Sequence, residues 1–518
     1  MAVAMGRAGR LPLRGEHARS VLGSVLRRGF ADNAMPEKVI PVSSLSAGGL
    51  LSFFKGVVSD KLRSPLPPDY KVDPSLLQAQ VPTLVTSLPN GLRVATETSK
   101  VGTATVGVWI DAGTRFEKPE LNGAAHFLEH LIFKGTSKRT QRALEQEVEN
   151  LGAHLNAYTS REQTVYYARA LKEDVPQVTE LLSDILQNSL IAPDAIERER
   201  SVILREMQEI DTLPDEVLFD YLHSSAYQGT PLGQTILGPE ANIKSLTRES
   251  LAAYVSEHYK PHRMVLVGAG DIEHAELVKL AEKHFGSLKA DPGARSAAEL
   301  CAEKPAFLTG SDVKIQNDFM DEAHVAIAYE TCGWAHPDAP AFMVLQALLG
   351  TWDRTAGTGD VTSNKLAQGM AATSGCMRYM AFNTTYTDTG LWGVYAVAKP
   401  EDLDDVAHEI VTTVTNLCFK CDEAALDAAK RMLKTNLVLQ LENTSSIAED
   451  IGRQMLVYGR RIPLAEMFAR IDAVDAAAVS RIGHKYFYDR EMGVASMGAV
   501  NAMCDYNYLR RRTYSLWY

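Results

Sequence analysis

Three short runs recur in the same order along the chain at nearly constant spacing. Val106-Gly-Val-Trp-Ile-Asp111 resembles Val325-Ala-Ile-Ala-Tyr-Glu330, Lys172-Glu-Asp-Val175 resembles Pro400-Glu-Asp-Leu403, and Val265-Leu-Val-Gly268 resembles Val494-Ala-Ser-Met-Gly498, at offsets of 219, 228 and 229 to 230. A repeat of this length means a duplicated domain, so each motif has to be read against its counterpart in the other half. The expectation is α+β: two homologous domains of about 220 residues, each a mostly antiparallel sheet covered by helices. The boundaries expected are 81–300 for the first domain and 315–518 for the second, with a linker at 301–314. Residues 32–80, rich in Ser, Pro and Gly, read as an extension or linker.

Local signals fill in the first domain. Asn90-Gly91 between two short strand-like runs signals a hairpin. A strand is expected at 103–111, an apolar helix at 121–133, and further helices at 141–151, 173–189 and 194–210.

Composition narrows the class. With 46% hydrophobic and 23% charged residues in 518, the chain is globular. No apolar run reaches the roughly 18 residues that would suggest a membrane span. Six scattered cysteines form no disulfide framework and point to a reducing compartment. The net charge of −11 hides an asymmetry: residues 1–31 carry six arginines and one acid, leaving −16 on the remainder. An Arg-rich, acid-poor start with Ala18, Val21, Leu22, Val25 and Leu26 at helical spacing reads as a mitochondrial transit peptide. A nucleic-acid partner finds no support in the acidic body.

The sharpest chemical feature is His126-Phe-Leu-Glu129-His130, an inverted zincin signature. On a helix, positions i, i+3 and i+4 share a face, so His126, Glu129 and His130 project together. Their neighbours Ala124, Ala125, Phe127, Leu128, Leu131 and Ile132 are apolar almost all round. Unpaired burial of a carboxylate costs several kcal/mol, so these groups need a partner, and a metal ion would supply one. Two histidines leave zinc one protein ligand short of an open catalytic site. The helix at 194–210 offers it: its stripe Ile196, Glu199, Ile203, Glu206, Ile210 puts two carboxylates on the apolar face. Either could be the ligand on physical grounds.

These residues resemble the pitrilysin family of zinc peptidases. Within it they are similar to β-type subunits that work beside an α subunit, through Leu88-Pro-Asn-Gly-Leu-Arg-Val94, His126-Phe-Leu-Glu-His-Leu-Ile-Phe-Lys-Gly-Thr136, Leu155-Asn-Ala-Tyr-Thr-Ser-Arg-Glu162, Ile203-Leu-Arg-Glu-Met207 and Tyr458-Gly-Arg-Arg-Ile-Pro463. The resemblance implies one zinc ion per chain, held by His126, His130 and Glu206, with Glu129 as general base and Glu199 as a supporting carboxylate. It also implies that Glu216 and Asp220 hold a substrate arginine two residues before the cut and that Phe133 packs on the residue after it. Asn156, Ala157 and Tyr158 would form the strand edge to which an extended substrate adds.

The activity implied is endoproteolytic removal of N-terminal presequences from imported mitochondrial precursors, in the matrix and with the α subunit as partner. In the second half, an offset of 217 sets Met343, Gln346 and Ala347 opposite His126, Glu129 and His130, and an offset of 228 sets Lys434 opposite Glu206, so that half is not expected to bind metal. Trp352-Asp-Arg-Thr-Ala-Gly-Thr-Gly359 has only two spaced glycines, as a β-type chain would rather than an α-type one. The alternative is a catalytically silent core subunit of ubiquinol–cytochrome c reductase, respiratory complex III, peripheral on the matrix side of the inner membrane; the two roles are compatible. Arg28-Gly-Phe30-Ala31 itself has the form of a cut site, after Phe30 or after Gly29.

Overall fold

The computed structural model describes residues 62–66, 73, 75, 81–291, 293–357, 359–373 and 375–514. The expected transit peptide at 1–31, its cut site and most of the 32–80 extension lie outside the described residues.

Two six-stranded sheets carry the fold. The first contains β1 (Leu84–Ser87), β2 (Arg93–Thr98), β3 (Thr103–Ile110), β4 (His154–Thr159), β5 (Thr164–Leu171) and β6 (Met264–Gly270), in the order β1-β2-β6-β3-β5-β4. The second contains β7 (Ser311–Gln316), β8 (Ala323–Cys332), β9 (Thr351–Asp353), β10 (Cys376–Thr385), β11 (Thr389–Ala398) and β12 (Met492–Gly498), in the order β7-β12-β8-β11-β10-β9. In each, one parallel pair, β2 with β6 and β7 with β12, joins an otherwise antiparallel ladder. The repeated runs fall on matching strands: Val106 and Val325 on β3 and β8, Val265 and Val494 on β6 and β12.

The hairpin forms where Asn-Gly signals it. Gly91 takes φ +93°, which a side chain would resist, and Leu88 and Leu92 close the turn through a 2.8 Å backbone hydrogen bond. The helices of the first half form at Ala124–Leu131, Gln141–Asn150, Val175–Asn188, Pro193–Ile210 and Pro214–Ala226. The first is shorter than its apolar pattern predicts, because Gly123 at φ +104° starts it and the turn after Ile132 ends it. Helix Ala297–Glu303 runs into the stretch expected to be linker, and β7 opens the second sheet at Ser311, ahead of the expected boundary at 315. Residues 62–66 are anchored: Leu62 is buried in the second core, and Arg460 donates to the Leu62 and Ser64 carbonyls at 3.1 Å each.

The halves exchange a helix each. Pro214–Ala226 belongs by sequence to the first half, yet its Leu218, Leu222 and Ala226 pack on Ala326, Ala328 and Ala495 of the second sheet. Reciprocally, Thr444–Val457 lays Ala448, Ile451 and Met455 on Ala95, Trp109, Val265 and Val267 of the first sheet. Gly452 permits this approach, since a Cβ there would stand 2.2 Å from the Trp109 ring. The apolar residues on the outer faces of both sheets are thereby covered, as apolar sheet faces require.

Buried ion pairs tie the same seam. Arg115 meets Glu162 at 2.6 Å and both Asp388 oxygens at 2.6 and 2.7 Å, while Glu162 accepts from the Thr387 amide and hydroxyl.

Candidate metal centre

The metal motif is built on a helix whose start is fixed unusually well. No Ser, Thr or Asp caps it; instead the buried carboxylate of Glu117 accepts from the Gly123 amide at 2.9 Å and the Ala125 amide at 2.6 Å, and from Asn122 Nδ2 at 2.8 Å. Orphan amides at a helix start are ready acceptor-seekers, so this carboxylate locks the first turn. Burial still pushes Glu117 up to about 7 against those bonds.

One turn on, His126 and His130 share a face, their rings 4.8 Å apart and edge to face. The partner is helix Pro193–Ile210, which packs Ile196 and Ile203 into the same core and so carries Glu199 and Glu206 to the histidines. His126 Nε2 lies 3.7 Å from Glu206 Oε1, and His130 Nε2 lies 3.2 Å from Glu206 Oε2. His130 Nδ1 lies 3.4 Å from Glu199 Oε2, whose other oxygen pairs with Lys134 Nζ at 2.8 Å. The geometry separates two carboxylates that periodicity left equivalent. Glu206 converges on both histidines, whereas Glu199 sits behind His130 and is itself held by Lys134.

The donor set fits a divalent cation. One ligand atom from each of His126, His130 and Glu206 can be chosen so that all lie within 4.8 Å of one another. Both histidines turn Nε2 toward the Glu206 carboxylate, so two imidazole nitrogens and a partly buried carboxylate converge on one space, where a cation would neutralise the carboxylate and engage all three. Two imidazoles and a carboxylate are the three-ligand set of an open catalytic zinc site.

The electrostatics of the cluster are coupled. Desolvation lowers His126 to about 4. His130 is desolvated too, but the carboxylates of Glu199 and Glu206 push it up to about 9. Glu199 and Glu206, despite burial, are held below the usual carboxylate range by the histidines and, for Glu199, by Lys134. Glu129 shifts the other way: burial raises its pKa, opposed by Thr159 and His130.

The remaining predicted residues lie on three different elements. Phe133 stands half-buried, edge-on to Tyr166 at 6.4 Å. Asn156, Ala157 and Tyr158 lie on β4, which ends its sheet, with no strand on its outer edge among the described residues. Tyr158 donates to Glu449 of the exchanged helix at 2.6 Å. Glu216 and Asp220 lie on the Pro214–Ala226 helix, but Asp220 Oδ1 already accepts from buried Arg161 at 2.7 Å. Sequence reasoning passed over Arg161, Lys134 and Glu117. Lys134 carried a signal in its i+4 spacing from His130, whereas a carboxylate at Glu117, before the helix, matches no capping pattern.

Helix Pro193–Ile210 of the first half and helix Glu423–Gln440 of the second are equally long, and aligned from their first residues they put Asn436, not Lys434, opposite Glu206. Lys434 instead pairs with Asp472 at 2.5 Å.

Comparison with known families agrees with this architecture. The family model Insulinase (Peptidase family M16) matches residues 93–240, and Peptidase M16 inactive domain matches residues 245–433. The chain belongs to the M16 peptidase family. It is 52% identical over 426 residues to the mitochondrial-processing peptidase subunit beta of Bos taurus, covering 82% of this chain and 86% of that one. It is 47% identical over 438 residues to the subunit of the same name from Lentinula edodes, covering 84% and 94%. Among solved structures, a chain of "Complex III2 from Candida albicans, Inz-5 bound" superposes with a TM-score of 0.74 at 25% identity, covering 83% of this chain and all of that one.

Proposed function

We propose that this chain is the catalytic, zinc-binding β-type subunit of a heterodimeric processing peptidase that removes N-terminal presequences from proteins imported into the mitochondrial matrix. The observation that carries the reading is the convergence of His126, His130 and Glu206, with Glu129 on the same helix face. Zinc bound there would supply Lewis-acid chemistry, acidifying water and polarising the scissile carbonyl.

This chain's residues do the rest. Glu129, one turn from His126 and adjacent to His130, takes the proton of the attacking water on its carboxylate and returns it to the leaving amine nitrogen. Its raised pKa suits a base that must also act as an acid. Glu199 orients the His130 ring through Nδ1, the usual support for a ligating imidazole. The outer edge of β4 takes the extended substrate backbone, Phe133 meets the residue after the cut, and Glu216 and Asp220 receive the preceding arginine. The first half, 81–300, does the chemistry; the second, lacking donors at Met343, Gln346 and Ala347, closes the opposite wall.

Likeness to a Complex III2 chain supports a second role as a core subunit of that complex. Purified chain with an α-type partner should cleave a presequence peptide in a chelator-sensitive manner. Absence of cleavage, together with recovery of the native chain only in a complex III assembly, would favour the silent structural role.

A further inference from the structure

The metal helix is held at its start by a residue outside it. Both oxygens of Glu117 are committed there, Oε1 to the Ala125 amide and Oε2 to the Gly123 amide and Asn122 Nδ2. Those amides immediately precede His126, and Glu129 follows within the next turn. The surroundings leave no slack. A Cβ on Gly123 would stand 2.7 Å from the Leu237 carbonyl and one on Gly238 2.3 Å from the Asn122 carbonyl, while Asn122 Nδ2 also donates to the Thr235 carbonyl at 2.9 Å. A helix start gripped this closely moves only with the backbone of Glu117.

That backbone closes a short turn that also carries Arg115. In the 3-10 turn Thr114–Phe116, the Phe116 amide donates to Gly113 and the Glu117 amide to Thr114, each at 3.1 Å. The turn is wedged in place. A Cβ on Gly113 would stand 2.5 Å from the Ser160 carbonyl, the Arg115 amide donates to the Arg161 carbonyl at 2.8 Å, and the Arg263 guanidinium lies 4.9 Å over the Phe116 ring.

From this turn Arg115 reaches into the other half. Its Nη1 and Nη2 meet the two oxygens of Asp388, in the turn between β10 and β11, at 2.7 and 2.6 Å, a bidentate geometry that fixes direction as well as distance. Asp388 is itself anchored by the Ala306 amide at 3.0 Å. The second half therefore grips the chain two residues before the carboxylate that grips the metal helix.

We propose that Glu117 is a positioning residue for the metal helix and that Arg115 braces it against Asp388, so that the half without metal donors helps set where His126 and Glu129 stand. The inference rests on reading that helix as the metal and base site.

The test uses the assembled peptidase with Glu117→Gln, which turns one acceptor oxygen toward the amides into a donor, and Asp388→Asn, which leaves Arg115 its Glu162 partner. Zinc affinity, read by chelator competition, should fall about tenfold in Glu117→Gln, the lower range for residues that support metal ligands. For both variants kcat should fall with KM held. The double variant should match Glu117→Gln within about twofold, because Asp388 acts through Glu117. Independent, multiplying losses would overturn the brace, as would loss of stability with zinc affinity and kcat intact.

Hydrogen exchange separates this from the functional reading, since it needs neither cleavage nor zinc. Exchange of the 123–131 amides should quicken about tenfold in Glu117→Gln and measurably in Asp388→Asn, with the strands of both sheets unchanged. That result in a chain whose wild type binds no zinc or cleaves nothing would keep the brace and reject the peptidase assignment. Unchanged exchange in Asp388→Asn, or faster exchange throughout the chain, rejects the brace.

Discussion

Glu206 Oε1 stands 3.7 Å from His126 Nε2 across two helices that share one apolar core, while Glu199, two turns earlier on the same stripe, pairs with His130 and Lys134 instead. That separation gives the two inward carboxylates of helix Pro193–Ile210 different partners.

Glu129 is the residue whose loss should divide binding from chemistry. Glu129→Gln keeps the shape and leaves the two imidazoles and Glu206 in place, so bound zinc should stay near one per chain. Cleavage of a presequence peptide should drop by about 10²–10⁴, the usual contribution of a positioned base. Metal analysis beside a fluorogenic peptide assay checks this, and full residual activity would sink the assignment.

The acidic pair calls for an asymmetric test. Asp220→Asn would leave buried Arg161 without its carboxylate and confuse recognition with folding. Glu216→Gln is the cleaner variant. It should raise KM about tenfold for peptides with arginine two residues before the cut, in the range of a charge-assisted hydrogen bond. Peptides lacking that arginine should be unaffected, and a uniform loss would contradict the role.

At the seam between the halves, Arg115→Leu would strand the carboxylate of Glu162, a residue 6% exposed, with only Thr387 as donor. Removing one partner of a buried pair typically costs about 3–5 kcal/mol. Urea unfolding should show that loss and, because Arg115 also pairs with Asp388 of the other half, a broadened or split transition. An unchanged midpoint would mean that the clasp contributes nothing to coupling them.

Acid should weaken the fold through buried neutral histidines. Desolvation, with Arg378 nearby, lowers His324 to about 4, and its Nδ1 sits 2.7 Å from the Tyr395 hydroxyl. His258 is lowered in the same way, to about 3. Because the folded pKa lies below the unfolded one, this stability is fully present above about pH 6.5 and drains as pH falls toward 4, by up to about 1.4 kcal/mol per pH unit for each proton. His324→Gln should flatten the dependence of the urea midpoint on pH in that window by about one proton. An identical slope would remove His324 from the account.

Much of this was legible in the sequence for identifiable reasons. The repeat showed in β-branched strand runs, and the metal motif showed because i, i+3, i+4 spacing and buried charge are both local properties. What lay beyond reach was set by long-range packing. The apolar stripe of Pro214–Ala226 says that the helix is buried but not that Leu218 and Leu222 seek the other half's sheet. The choice of Glu206 over Glu199 depends on how two helices cross, and the pairing of Arg161 with Asp220 joins a strand end to that exchanged helix. Asn436 replaced Lys434 as the counterpart of Glu206 because the offset between the halves drifts along the chain, which helix lengths reveal and short matches do not.

The central claim is that His126, His130 and Glu206 hold one zinc ion. Anomalous diffraction from crystals of the purified chain, collected on both sides of the zinc absorption edge, tests it most directly. A single peak bounded by His126, His130 and Glu206, lost in His130→Ala, is the result expected. A well-ordered site without that peak in zinc-supplemented crystals, or a peak held by other residues, would contradict it.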